Sequence, residues 1–254
     1  MDLAEQAVVV TGAGSGMGKA TAYRLARRNA LVAALDIAAK PVLALAQELG
    51  GLGIECDVGS ESSVRTAIQR VVAELGPPRV LVNCAGIAAA QRISGRKGPH
   101  DLGLFQKVIR TNLVGTFNMM RLVAEEMKQL DPVGESGARG VMINTASVAA
   151  YEGQIGQAAY SASKGGVVAL TLPAARELAQ FGIRVVTVAP GLIGTPMLHA
   201  MPEEVQASLA SQVPFPRRLG SADEFAALVE HIIDNEMLNG EVIRLDGAIR
   251  LQPE

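Results

Sequence analysis

Ala7-Val-Val-Val-Thr11 runs directly into Gly12-Ala-Gly-Ser-Gly-Met-Gly18, and a helical pattern follows over residues 19–29. A short, β-branched apolar run is what a strand buried on both faces requires. Glycines let the chain behind it turn sharply, and the amides opening the next helix attract an anion. A second apolar run, residues 30–35, ends at Asp36. An acid at that point can accept both hydroxyls of an adenosine ribose and repels a 2′-phosphate. The first 36 residues therefore read as a strand, a phosphate-binding turn, a helix and a ribose-binding acid, with NAD(H) as the cofactor.

Beyond Asp36 the same alternation continues. Further strands are predicted over residues 52–56, 80–82, 141–145, 183–188 and 241–245. Helices are predicted over 41–49, from an N-cap at Ser60 to residue 74, over 102–130, over 157–180, and from an N-cap at Ser221 to residue 234. Gly76-Pro77-Pro78 stops the second of these, and Pro173 should disturb the fourth locally without ending it. Strands alternating with helices throughout predict a single α/β domain over residues 1–254. The expected architecture is a Rossmann-type, doubly wound parallel sheet of about seven strands. Such sheets bind ligands beyond the carboxyl ends of their strands. Gly12, Asp36, Asp57, Cys84, Ser147 and Pro190 all fall just past a predicted strand end.

The second chemical signal is Tyr160-Ser-Ala-Ser-Lys164, with Ser147 thirteen residues upstream. Tyr and Lys four apart on a helix share a face. A free phenol, with a pKa of roughly 10, is a poor base at neutral pH, but an adjacent ammonium favours the phenolate. Ser147 can hydrogen-bond the same substrate oxygen. The three side chains are equipment for interconverting an alcohol and a carbonyl, given a hydride acceptor.

Thr11 to Gly18, Asn83-Cys84-Ala85-Gly86, Asn112, Ser147, Tyr160-x-x-x-Lys164 and Pro190-Gly191 resemble, in order and over the whole chain, the motifs of the short-chain dehydrogenase/reductase family. The stretches 143–150, 152–160, 211–216 and 240–250 further resemble its type-2 3-hydroxyacyl-CoA dehydrogenase branch, which oxidises (S)-3-hydroxyacyl-CoA with NAD. The resemblance implies that Tyr160 is the acid/base, that Lys164 lowers its pKa and binds the nicotinamide ribose, that Ser147 orients the substrate oxygen, and that Asn112 kinks its helix and holds a proton-relay water. It implies cofactor contacts at Gly12, Ser15, Gly16, Met17, Gly18, Asp36, Asp57, Val58, Asn83, Cys84, Ala85, Gly86, Tyr160, Lys164, Pro190, Gly191, Ile193 and Thr195. It also places Gln154, with Ser147 and Tyr160, on the substrate. A homotetramer is expected on the same ground. A hydroxysteroid or other secondary alcohol, or a 3-oxoacyl carrier-protein thioester, remains an alternative substrate. A dinucleotide-binding scaffold without turnover is disfavoured by the intact Ser147, Tyr160 and Lys164.

Residues 195–219 are rich in Met, Pro and Leu and read either as a lid over an apolar substrate or as subunit-interface packing. Arg92, Arg96 and Lys97 either meet the phosphates of CoA or form a solvated loop. A net charge of −2 gives no support to nucleic-acid binding. Cys56 and Cys84 make no disulfide framework and read as small buried residues. His100, His199 and His231 lack metal-ligand spacing, so no metal is expected. There is no G-x-S-x-G elbow of a hydrolase. No apolar run approaches the ~18 residues of a membrane span, and no targeting pattern opens the chain. A soluble cytoplasmic protein is the expectation.

Overall fold

The computed structural model describes residues 1–96, 98–199 and 202–253. Seven strands form one parallel sheet: β1 (Ala7–Thr11), β2 (Leu31–Asp36), β3 (Leu52–Glu55), β4 (Val80–Asn83), β7 (Gly140–Thr145), β8 (Ile183–Pro190) and β9 (Val242–Leu245). Their order is β3-β2-β1-β4-β7-β8-β9, and every pairing is parallel. The remaining strands, β5 (Ser94–Gly95) and β6 (Gly98–Pro99), make a small antiparallel ribbon. The order reverses between β1 and β4, which opens the crevice where such sheets receive nucleotides.

Alternate residues of each strand serve opposite faces. Val8 and Val10 of β1, Val80 and Val82 of β4, and Val186 and Val188 of β8 pack toward α1 (Gly16–Ala26), α2 (Ala39–Leu49) and α9 (Ala222–Asp234). Val9, Leu81, Met142 and Val185 face α3 (Glu61–Leu75), α5 (Gly115–Met127) and α6 (Ala158–Leu178). Covering both faces explains why β1, β4, β7 and β8 are buried at every position and mostly apolar instead of alternating. The N-cap at Ser60 accepts from the Ser63 amide, and Ser221 forms a reciprocal capping box with Glu224.

The structure revises several expected boundaries. The helix expected over 102–130 is three pieces: α4 (Leu102–Ile109), a π-helical turn at Arg110–Val114, and α5, which ends at Met127. β8 continues to Pro190, past the expected end at 188, because its pairing with β9 extends the ladder to Pro190↔Leu245. The ribbon at 94–99 was not expected, since four residues with two glycines carry no strand pattern. Helix α6 runs unbroken through Pro173. The segment expected as a lid holds two short helices, α7 (Pro196–His199) and α8 (Glu203–Ser211). Met201 and Lys97 lie outside the described residues.

Candidate active site

Six strand ends build the site. At the end of β1, Gly12 has φ +64°, and a Cβ there would lie 2.8 Å from the Ala85 amide nitrogen. A side chain at Gly18 would strike the Gly12 carbonyl. Only glycine fits either position, so the backbone is bare at both ends of the loop. Ser15 stands exposed at the N-cap of α1, with no side-chain capping bond of its own. Met17 is half-buried and joins the core under α1. Thr11 Oγ1 accepts from the amides of Cys84 and Ala85, each at 3.1 Å, and so fastens the β4 end to the glycine loop. The resemblance includes Thr11 without giving it a role; that role follows from the register of β1 against β4.

Asp36 ends β2 with its carboxylate fixed by two amides. Gly14 N–H donates to Oδ2 at 2.9 Å, and Ala38 N–H donates to Oδ1 at 2.9 Å. The acid thus stands against the glycine loop, where the ribose reading requires it. Asp57 accepts from the Gly59 amide at 2.9 Å and pairs with Arg110 at 3.3 Å. Val58 is buried against Gly115, where an added Cβ would lie 2.6 Å from Val58 Cγ2. Asn118 donates to the Val58 carbonyl at 3.1 Å. Asn118 was not singled out from sequence, and it holds this turn in place.

The end of β4 supplies Asn83 to Gly86. The Asn83 amide donates to Asn144 Oδ1 at 2.9 Å, which ties β4 to β7 below the site. Burial pushes the Cys84 thiol up to about 12, so it is not a nucleophile at neutral pH. A Cβ on Gly86 would lie 3.3 Å from Asn112 Oδ1 and 3.5 Å from Lys164 Nζ, so the bare backbone here brings both side chains close.

Asn112 is fully buried inside the π turn. Its amide donates to the Ile87 carbonyl at 2.9 Å and to Ser163 Oγ at 3.0 Å, and its Oδ1 accepts from the Ile87 amide at 2.8 Å. π turns insert one residue and re-aim the helix, frequently at functional sites. Here the inserted turn lets one Asn satisfy both backbone groups of Ile87 and reach α6.

On α6, Lys164 is buried and its Nζ donates to the Thr145 carbonyl at 2.7 Å. It lies 5.8 Å from the Tyr160 ring centroid. Burial lowers its pKa to about 8, with Cys84 pulling the other way. The Tyr160 phenol is shifted as well. Burial dominates and holds the phenol above its ordinary value, opposed by a hydrogen bond with Ser147. Desolvating a phenolate costs more than the neighbouring groups return. Ser147 caps the short helix Val148–Ala150 and accepts from the Ala149 amide at 3.1 Å.

After β8, the Gly191 amide donates to the Leu245 carbonyl at 2.9 Å. Ile193 is buried and pairs with Gly220, whose added Cβ would meet Ile193 Cδ1 at 2.5 Å. Only its backbone is left to face a cofactor. Thr195 approaches the glycine loop, 3.4 Å from where a Gly16 Cβ would stand. Gln154 lies in the loop between Ser147 and Tyr160, and it lines a cavity of about 600 Å³ together with Arg92, Ala149, Ile155 and Ser161. That cavity sits beside Ser147 and Tyr160, lined by their chain neighbours rather than by the two side chains themselves.

The chain matches the model of the short chain dehydrogenase family over residues 6–206. It is 56% identical over 249 residues to the Homo sapiens protein named 3-hydroxyacyl-CoA dehydrogenase type-2, covering 96% of this chain and 95% of that one. It is 50% identical over 249 residues to the Drosophila melanogaster protein of the same name, covering 96% and 97%. The crystal structure of 3-hydroxyacyl-CoA dehydrogenase type-2 from Mycobacterium avium superposes with a TM-score of 0.92 at 45% identity, covering 98% of this chain and 97% of that one. With the switch-point crevice, the glycine loop and the α6 pair already in place, the chain belongs to the short-chain dehydrogenase family of oxidoreductases, which work with a nicotinamide dinucleotide.

Proposed function

We propose that this protein is an NAD-dependent dehydrogenase that interconverts (S)-3-hydroxyacyl-CoA and 3-oxoacyl-CoA. The observation that carries the chemistry is the convergence of Ser147, Tyr160 and Lys164, with Lys164 Nζ beside the bare backbone of Gly86, at the same sheet edge as Asp36. Identity to proteins named for this reaction over nearly the full chain supports the substrate class. The residues fit a dinucleotide: the glycines of the Gly12–Gly18 loop leave its backbone bare where α1 begins, and the amide-held Asp36 carboxylate suits two ribose hydroxyls. A fixed negative charge there opposes a 2′-phosphate, which favours NAD over NADP.

When bound, the oxidised dinucleotide supplies the hydride acceptor and a positive charge near the phenol. Ser147 holds the substrate oxygen. Tyr160 takes the hydroxyl proton in oxidation and returns it in reduction. Lys164 supplies the charge that favours the phenolate and binds the nicotinamide ribose. Asn112 holds α6 through Ser163 and the β4 loop through Ile87. The backbone of Gly191 and Ile193, with Thr195, closes over the carboxamide end. A homotetramer accompanies this reading. Val114, Phe117 and Leu172 leave an exposed apolar face on the π turn, α5 and α6 that a second copy can cover. Two free cysteines suit a reducing compartment such as the cytoplasm.

The test is a comparison of (S)- and (R)-3-hydroxybutyryl-CoA, each with NAD and with NADP. Preference for the (S)-thioester with NAD supports the reading. Faster oxidation of a hydroxysteroid, or faster NADPH-driven reduction of a 3-oxoacyl carrier-protein thioester, overturns it.

A further inference from the structure

The loop 151–157 joins the turn that carries Ser147 to the helix that carries Tyr160, and it holds Gln154. Its own bonds are few: the Gln157 amide donates to the Gln154 carbonyl, and the Gln154 amide donates to Gln157 Oε1. Backbone bonds with Val148, Gln91 and Ser161 hold its two ends, and the far end of the chain anchors its middle. Arg244 on β9 grips Glu152 with both terminal nitrogens, at 2.7 and 2.8 Å. Its Nε donates to Asp246 at 2.7 Å, a further N–H donates to the Ile249 carbonyl at 3.1 Å, and its guanidinium lies 5.2 Å from the Tyr151 ring centroid. Arg250 adds contacts to Asp246 at 3.2 Å and to Glu152 at 3.6 Å. Beyond this cluster, Gln154 Nε2 donates to the Gln252 carbonyl at 3.1 Å and the Ile155 amide donates to the Pro253 carbonyl at 2.9 Å.

A forked arginine–carboxylate pair is directional as well as charged, and a network with most of its surface covered resists screening better than an exposed pair. Here Asp246 is only 9% exposed, and Arg244 and Glu152 are 22% and 24% exposed. A surface loop with few bonds of its own opens at low free energy unless something ties it down. Residues 244–253 tie this one at three positions: 152, 154 and 155.

We infer that residues 244–253 act as a clamp on the substrate loop, that Arg244 is its positioning residue, and that the clamp sets affinity for the thioester side of the substrate by fixing Gln154 and the cavity wall. This rests on the acyl-CoA reading. Arg244 touches none of the reacting atoms. It acts through Glu152, and the tail backbone acts through Gln154 and Ile155. Loosening the loop should therefore weaken substrate binding while leaving the Ser147, Tyr160 and Lys164 geometry on β7 and α6 intact.

Two variants of the full enzyme test this: a chain ending after Leu251, and Arg244→Lys, which keeps the charge and loses the fork. Each is measured for KM and kcat with (S)-3-hydroxybutyryl-CoA, for NADH affinity by fluorescence, and for hydrogen exchange of residues 151–157. The expected result is a KM raised about five- to tenfold, the scale of one lost hydrogen bond. Little change is expected in kcat or NADH affinity, with faster exchange in the loop. An unchanged KM in both variants overturns the clamp. So does a fall in kcat and NADH affinity in step with the rise in KM, which would mark a merely structural role. If the unmodified enzyme turns over another alcohol and not the thioester, the acyl-CoA reading fails by itself. Loop exchange then decides the clamp, and unchanged exchange in the shortened chain overturns it.

Discussion

At Tyr160 two influences oppose each other, and burial outweighs the Ser147 hydrogen bond, so the phenol keeps its proton more tightly than a free tyrosine does. Lys164 feels the same dry surroundings in the opposite sense. Its ammonium is destabilised, to a pKa of about 8 against an ordinary 10.5. The sign of the resulting pH dependence is fixed. Between those two values the unfolded chain holds a proton on Lys164 that the folded chain has released, so this site makes stability rise with pH over that window. The penalty is full below about 8 and fades as pH climbs toward 10.5. The cofactor-free protein should therefore gain thermal stability relative to a Lys164→Met variant between pH 7 and pH 9.5. Thermal melts that shift in parallel across that range would contradict the burial assigned to Lys164.

At the level of elements, the π turn decides how the site is assembled. Its single Asn112 side chain makes three bonds that join α4–α5 to the β4 loop and to α6. Asn112→Ala leaves buried partners unmet, each costing about 1–3 kcal/mol. Urea unfolding should show a loss of roughly 2–4 kcal/mol, and kcat should fall more than NADH affinity. A change below the error of the extrapolation would show that the turn does not depend on Asn112. This element also marks the limit of what the sequence reveals. Strands β1, β2, β4, β7 and β8 announce themselves as apolar runs because both sheet faces are covered, and the helix starts at Ser60 and Ser221 announce themselves as caps. The π turn has no periodicity of its own within 102–130, and only the family resemblance pointed to Asn112. The glycine loop and Asp36 were legible because their chemistry is local in sequence. Thr11, Asn118 and the Arg244–Glu152 clamp were not, because each acts across a long span of chain and through a register that no single segment encodes. Spacing on a helix reports that Tyr160 and Lys164 are close, and it does not report how dry the site is.

Across the whole molecule, every candidate residue converges on the carboxyl edge of one sheet, and the opposite ends of the chain meet there. The glycine loop comes from residues 12–18 and the loop clamp from residues 244–253. Val114, Phe117 and Leu172 are exposed on the π turn, α5 and α6, beside the segments that carry Asn112 and Tyr160, so the proposed assembly would share a support with the site. Light scattering should find a tetramer, and Phe117→Glu should shift it to smaller species. A monomer for the unmodified chain would contradict the interface reading. The central claim, that Tyr160 transfers the proton in an NAD-dependent oxidation at this edge, is tested most directly by the rate of NADH formation from (S)-3-hydroxybutyryl-CoA in the unmodified enzyme and in Tyr160→Phe, both at saturating NAD. The account predicts steady turnover that falls by about 10²–10⁴ in the variant while NADH still binds. Equal rates in the two proteins would contradict it.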